Sequence, residues 1–255
     1  MKKFLNIILT IILLIFSFYY TKTVAEFIKN KDLIMIKIKE NSYKFETNSI
    51  DAIIKNDTII PGKSSKKVNI NASYKKMKRI KKYTESLYVF EYKKPKISLK
   101  DHYDKIIING NTKNKNISIL IKVQSLELLK KINTDPFLNF ILDNDFINTN
   151  LDYIIKLDNN IVVLEQNNLN NLEIIDYCYS ENIFNKYCIN YKIYTIKPTF
   201  ITNNYYYNTF KLINNGSILA YNILNENDIK DINLVISYIK TLNYNIVSID
   251  NLINE

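Results

Sequence analysis

Residues 212–223 read LINNGSILAYNI, and Gly216 within them is one of only three glycines in the 255-residue chain. Glycine reaches φ > 0 at no steric cost, so a chain this poor in it keeps one where the backbone turns a corner. The corner opens a short continuous apolar run, SILAYNI, of the kind that forms a strand buried on both faces. ISILIKV, beginning at Ile117, is a second such run. PFLNFILD, IVVLE, IDYCY, IYTIKP and NIVSI repeat the pattern, and SLELLKKI, LDYIIKL, IFNKYCI, YYNTFKLI and DINLVISYIKTL between them read as helices. Short apolar strands alternating with helical segments predict parallel β/α units, about seven strands within residues 113–255, with ISILIKV and SILAYNI central.

Upstream the pattern is different. Ile53-Ile54 and Ile59-Ile60 flank a tight turn and read as a hairpin ending at Pro61-Gly62. Asn71 can cap a helix through Tyr74, Met77 and Ile80, SLYVFEY alternates as a strand does, and Ile106 to Ile108 form a further short strand. Residues 26–112 are therefore expected to make a small α+β domain. Residues 1–25 come first, with Lys2 and Lys3 ahead of an uncharged run from Phe4 to Tyr20. Such a run, closed by the interfacial aromatics Tyr19 and Tyr20, reads as a membrane anchor with its positive end cytoplasmic and the bulk of the chain extracytoplasmic. Thr23-Val24-Ala25 equally reads as a signal-peptide cleavage site.

Charge is segregated. The formal net charge is +10, with one Arg, Arg79, among 35 basic residues. Residues 1–60 carry nine Lys against six acids, residues 61–100 carry thirteen basic residues against two acids, and residues 101–255 carry thirteen Lys against seventeen acids. The basicity belongs to one segment around the predicted helix. It reads either as a solvated face or as attraction to anionic envelope polymer or lipid headgroups, while an exported chain with a single Arg argues against nucleic acid. Lys, Asn, Ile and Tyr abundance fits AT-rich coding and carries no functional weight. Cys178 and Cys188 are the only cysteines, ten residues apart in the exported part, so they are either a disulfide pair or two buried thiols.

The ending LINNGSILAYNI followed by INLVISYIKTLNYNIVSIDNLI resembles the C-terminal signature of NodB-type polysaccharide deacetylases, carbohydrate esterase family 4. Leu212, Gly216, Ser217, Ile218 and Leu219 match that family's Gly-Ser strand, and Tyr244, Val247 and Leu252 match its last strand and helix. KNISILIKV and NFILDNDFI resemble its first two strands, and DAIIKNDTIIPG, SYKKMK and KPKISLKDHYDK resemble the front part of membrane-anchored bacterial relatives. The resemblance implies an α/β fold, a short distorted (β/α) barrel behind an anchor and a small α+β domain. It also implies a divalent metal held by one Asp and two His, an Asp base and a late-strand His acid, acting on acetylated glycan.

The motif residues are missing here. The Thr-Phe-Asp-Asp motif falls on Leu120, Ile121, Lys122 and Val123, the His-x-x-x-His motif falls near the His-free NNIVVLEQNN, and the late-strand His falls near Asn222. The single histidine, His102, lies before the barrel. The reading is thus a degenerate, catalytically inactive deacetylase-like protein with neither metal nor cofactor, binding cell-wall glycan or an envelope partner; Tyr177, Tyr179, Tyr221 and Glu165 are candidate groove residues. One alternative is an active hydrolase with a rearranged site built from Asp143, Asp145, Glu165 and Glu181. Another is a structural envelope protein docking on anionic polymer through its basic helix.

Overall fold

The computed structural model describes residues 2–132, 135–164, 172–180, 186–202 and 211–255. They divide into two compact units, residues 1–48 with 65–93 and residues 49–64 with 94–255. This division differs from the boundaries expected at residues 25 and 112, because two stretches upstream of 112 supply strands to the main sheet.

The first unit begins with α1 (Lys2–Lys31), whose stretch Ile8–Lys31 is long and apolar enough to cross a membrane and has none of its apolar window buried. Asp32 follows, its side chain accepting from the Ile34 N–H at 2.9 Å and capping α2 (Leu33–Asn41). The same carboxylate accepts from Lys78 and, at 3.1 Å, from the Tyr74 hydroxyl, and the Lys78 hydrogen bond holds it below its ordinary pKa. The basic helix α3 spans Ile70–Arg79. Its cap is Asn69, which accepts from Ala72 N at 2.8 Å; Asn71, the cap read from sequence, lies inside the first turn, whereas Asn69 has the extended backbone a cap needs. Met77 anchors the helix in a small core with Ile38, Val68 and Tyr88. The antiparallel strands Ser65–Val68 and Phe90–Lys93 complete the unit. SLYVFEY is thus a strand only in its second half, its first two residues closing the 3-10 turn Glu85–Leu87.

The second unit contains β1 (Ile53–Lys55), β2 (Thr58–Ile60), β3 (Ile106–Ile107), β4 (Asn116–Val123), β5 (Leu138–Leu142), β6 (Asn160–Leu164), β7 (Tyr177–Tyr179), β8 (Tyr194–Ile196), β9 (Phe200–Thr202), β10 (Ile218–Ile223) and β11 (Asn245–Ile246). The described strands form one sheet in the order β1-β2-β3-β8-β7-β6-β5-β4-β10-β9, with β11 also pairing β4. Only the β1–β2 hairpin is antiparallel. Among the described residues its helices include α4 (Leu126–Lys131), α5 (Asn144–Thr149), α6 (Leu151–Ile154), α7 (Lys186–Asn190), α8 (Glu226–Thr241) and α9 (Ile249–Ile253). The helix expected on residues 206–213 lies mostly outside the described residues.

β4 and β10 are parallel and largely buried, as their apolar runs predict, but in the sheet order they stand next to the edge strand β9 and not at the centre. Alternation sends Ile117, Ile119, Ile121 and Val123 into a core roofed by Leu129 of α4, Ile147 of α5 and Ile232, Val235 and Ile239 of α8. Leu120 and Ala220 face the other way, joining Ile141, Val162 and Ile196 in a second core closed by Ile249, Leu252 and Ile253 of α9. Asn139, fully buried on β5, ties this core together. Its amide donates to Ser118 Oγ at 2.9 Å and to the Ile119 carbonyl at 2.8 Å, while its oxygen accepts from Asn160 at 3.1 Å and from Ile249 N at 3.0 Å. Cys178 on β7 and Cys188 on α7 are both buried and joined as a disulfide, with Cα atoms 6.4 Å apart.

Gly216 makes the turn into β10 with φ +83°, its N–H bonded to Asn116 O at 2.8 Å and its carbonyl accepting from Gly110 N at 2.7 Å. A Cβ here would meet Gly110 O at 2.5 Å. Gly216→Ala is therefore expected to lower unfolding stability by about 2 kcal/mol or more, read from the denaturant midpoint, because both the left-handed backbone and the close approach resist a side chain. Thiol titration of unreduced, unfolded chain is expected to find no free thiol. Replacing both cysteines by Ala should cost about 3 kcal/mol for an approximately ten-residue loop.

Candidate functional site

In open parallel β/α sheets ligands bind beyond the carboxyl ends of the strands. At that end Lys122 of β4 and Asn222 of β10 are direct register partners. Both are half-buried and stand on the strand face that carries Leu120 and Ala220, one step nearer the mouth. Ile121 and Val123 point to the opposite face and are sealed under the helices. Gln124, just past β4, donates its amide to Asp143 at the end of β5 at 3.3 Å. Asp145 is exposed in the first turn of α5. Glu165 and Glu181 lie outside the described residues. Of the four acids considered for a rearranged site, the two described ones occupy one strand end and the helix that follows it.

A catalytic divalent metal requires about three carboxylate, imidazole or thiolate ligands with an open position for water. The described mouth supplies the Lys122 ammonium, the Asn222 carboxamide and the carboxylates of Asp143, held by Gln124, and Asp145, and both cysteines are consumed in their disulfide. No three His, Cys, Asp or Glu gather anywhere among the described residues. This donor set does not fit the divalent metal that the resemblance implies, and an ammonium beside the position opposes a dication. His102 lies elsewhere, capping the end of the 3-10 turn Leu99–Asp101, its Nδ1 2.8 Å from the Ser98 carbonyl to which it donates.

The tyrosines expected to line a groove are not brought together as one. Tyr221 is completely buried on the helix-covered face, and Tyr177 and Tyr179 are buried in the inner core. A ring that stacks on a pyranose needs a free face, which burial denies to Tyr179 and Tyr221, while Tyr177 borders a cavity at the opposite, amino end of the strands.

At the amino ends of the strands a cavity of about 340 Å³ is lined by Tyr177, Tyr194, Lys100, Asp250 and Glu255. Tyr177 donates its hydroxyl to Asp250, and Tyr103 stacks on Tyr194 with ring centroids 4.5 Å apart. The Glu255 side chain accepts from Gly62 N at 3.0 Å and Leu99 N at 2.9 Å. Sequence reasoning missed this constellation because its members come from three distant segments with no local motif.

No family model matches the sequence, and no curated protein matches it. Solved structures do match. BA3943 from Bacillus anthracis, described as a CE4 family pseudoenzyme, aligns with TM-score 0.62 and 17% identity over 88% of this chain and 96% of its own. One mutant of it aligns with TM-score 0.63 and 19% identity over 88% of this chain and 99% of its own. A mutant described as having restored enzymatic activity aligns with TM-score 0.62 and 17% identity over the same shares. The fold is that of carbohydrate esterase family 4. At these identities the likeness is one of backbone architecture, and the side chains at the mouth of this CE4 fold must be read on their own terms.

The hydrogen bond that closes the far end of the CE4 fold is open to test. Burial first, and then the Asp250 carboxylate, push the Tyr177 phenol above its ordinary pKa of 10. A raised native pKa gives stability that is full below pH 10 and declines as pH rises above it, where the unfolded phenol ionises and the native one does not. Tyr177→Phe is expected to lower stability at neutral pH by about 1 kcal/mol and to make the alkaline decline above pH 10 shallower, as measured by urea unfolding across that range.

Proposed function

We propose that this chain is a membrane-anchored, catalytically inactive protein of the CE4 fold that binds cell-wall glycan without deacetylating it. The observation that carries the reading is the pairing of Lys122 with Asn222 at the mouth, with Ile121 and Val123 turned into the core. The resemblance would put the two motif Asp at Lys122 and Val123 and the acid His near Asn222. Neither an ammonium nor an amide can polarise an acetyl carbonyl as a Lewis acid, nor can an amide protonate a leaving amine. The similarly folded BA3943 is itself described as a pseudoenzyme, and a mutant of it as having restored activity. That pairing supports reading the fold here as kept while the chemistry is lost.

The anchor reading is supported by α1. At about 1.5 Å per residue, its apolar stretch of 24 residues extends roughly 36 Å, enough for a bilayer core of about 30 Å. Lys2 and Lys3 stand at the end that would face the cytoplasm.

Purified full-length chain is expected to release no acetate from acetylated chitooligosaccharide or peptidoglycan with Zn²⁺, Co²⁺ or Mn²⁺ present, while still cosedimenting with insoluble peptidoglycan. Lys122→Asp alone should leave acetate release at zero, since the chain's one imidazole, His102, sits at the other end of the sheet and no second ligand is restored. Acetate release abolished by a chelator would overturn the inactive reading, and loss of cosedimentation would overturn glycan binding.

A further inference from the structure

We propose that the first unit carries a binding site for the phosphate of an anionic lipid headgroup, placed where the membrane helix ends. This rests on the reading of α1 as a membrane anchor.

A cavity of about 620 Å³ is lined by Lys29 from the last turn of α1 and by Asn71, Tyr74, Lys75, Lys78 and Arg79 of α3. Four of its six lining residues are cations and none is a carboxylate. The nearest acid, Asp32, is occupied by Lys78, Tyr74 and the α2 amide, so it leaves Lys29, Lys75 and Arg79 as net positive charge. Lys29 is held in place by a 2.5 Å hydrogen bond to Asn71 and by lying 5.5 Å over the Tyr74 ring. Arg79 is the only arginine in the sequence. Its planar fork binds phosphate oxygens in pairs, which a lysine cannot do.

The neighbouring surface identifies the anion's source. Phe27, Ile28, Leu33 and Ile80 are exposed large apolar side chains flanking the cavity residues in sequence, and α1 leads directly into its own fully exposed apolar stretch. Cations interleaved with exposed apolar groups suit the bilayer interface, where apolar side chains enter the acyl boundary and cations meet phosphodiesters. A soluble polyanion would match the charge but would leave those apolar groups in water. On the burial side, α3 is fixed by Met77 and Ser73, so its exposed basic face does not fold away.

The test uses full-length chain reconstituted into vesicles of equimolar phosphatidylglycerol and phosphatidylcholine, extracted gently, with copurifying phospholipid measured by mass spectrometry. Phosphatidylglycerol is expected to be enriched over its bulk ratio, and Lys75→Gln with Arg79→Gln to reduce the enrichment by roughly fivefold per cation removed. Both residues are exposed, so the variant keeps the fold. Arg79→Lys should retain part of the enrichment, because charge survives while the paired hydrogen bonds do not. Resistance to alkaline carbonate extraction reports the anchor separately and should be equal in all variants. Carbonate-resistant wild type with no enrichment, or enrichment unchanged in the double variant, overturns the headgroup site alone; wild type released by carbonate overturns the anchor reading and the site with it.

Discussion

β4 is the strand on which the second unit depends. It pairs in parallel with β5, β10 and β11, and its side chains fill a core on each face. A strand packed on both faces must be mostly apolar, with any buried polar group such as Ser118 satisfied, and its neighbours must enter at the right height to bond it. Gly216 supplies that height for β10, since Ser118 N reaches the Ser217 carbonyl at 3.0 Å as soon as the left-handed turn is complete. Asn139 does the same from the other side, with hydrogen bonds to β4, β6 and α9. Polar groups so deep are tolerated because each is satisfied, and they fix one register where apolar packing alone would permit a slip.

The same alternation that builds the core decides what the mouth can do. Every second residue of β4 and β10 is committed to the helix-covered face, which leaves Lys122 and Asn222 as the last inward-facing positions before the loops. Chemistry at this end of a CE4 fold therefore hangs on very few side chains. An ammonium at one of them costs the fold little, since a half-buried lysine can send its charge outward, and it offers no ligand to a dication.

The first unit solves a different problem, in which little apolar surface must hold a helix crowded with like charges. Asp32 makes this possible by capping α2 while accepting from Lys78 and Tyr74, so one carboxylate fixes two helices. The remaining cations of α3 are left facing outward at the end of α1.

Strand identity, the parallel β/α pattern, the buried character of ISILIKV and SILAYNI and the turn at Gly216 were all legible in the sequence, because each follows from local composition. The 53–60 hairpin was legible too, but its place in the main sheet was not: an edge partner is chosen by which strand is left open in space, which no local signal encodes. The tyrosines show the same boundary from the other side. Tyr177, Tyr179 and Tyr221 read as a possible sugar platform, since an amphipathic ring suits either a groove or a core, and only the packing of α8 and α9 over the sheet turned all three inward. Likewise Lys29, Asp32 and Arg79 are ordinary surface residues in sequence. Backbone periodicity is a local property that the sequence alone determined; convergence of side chains from distant segments depends on how the elements close on one another, and only the tertiary structure decided it.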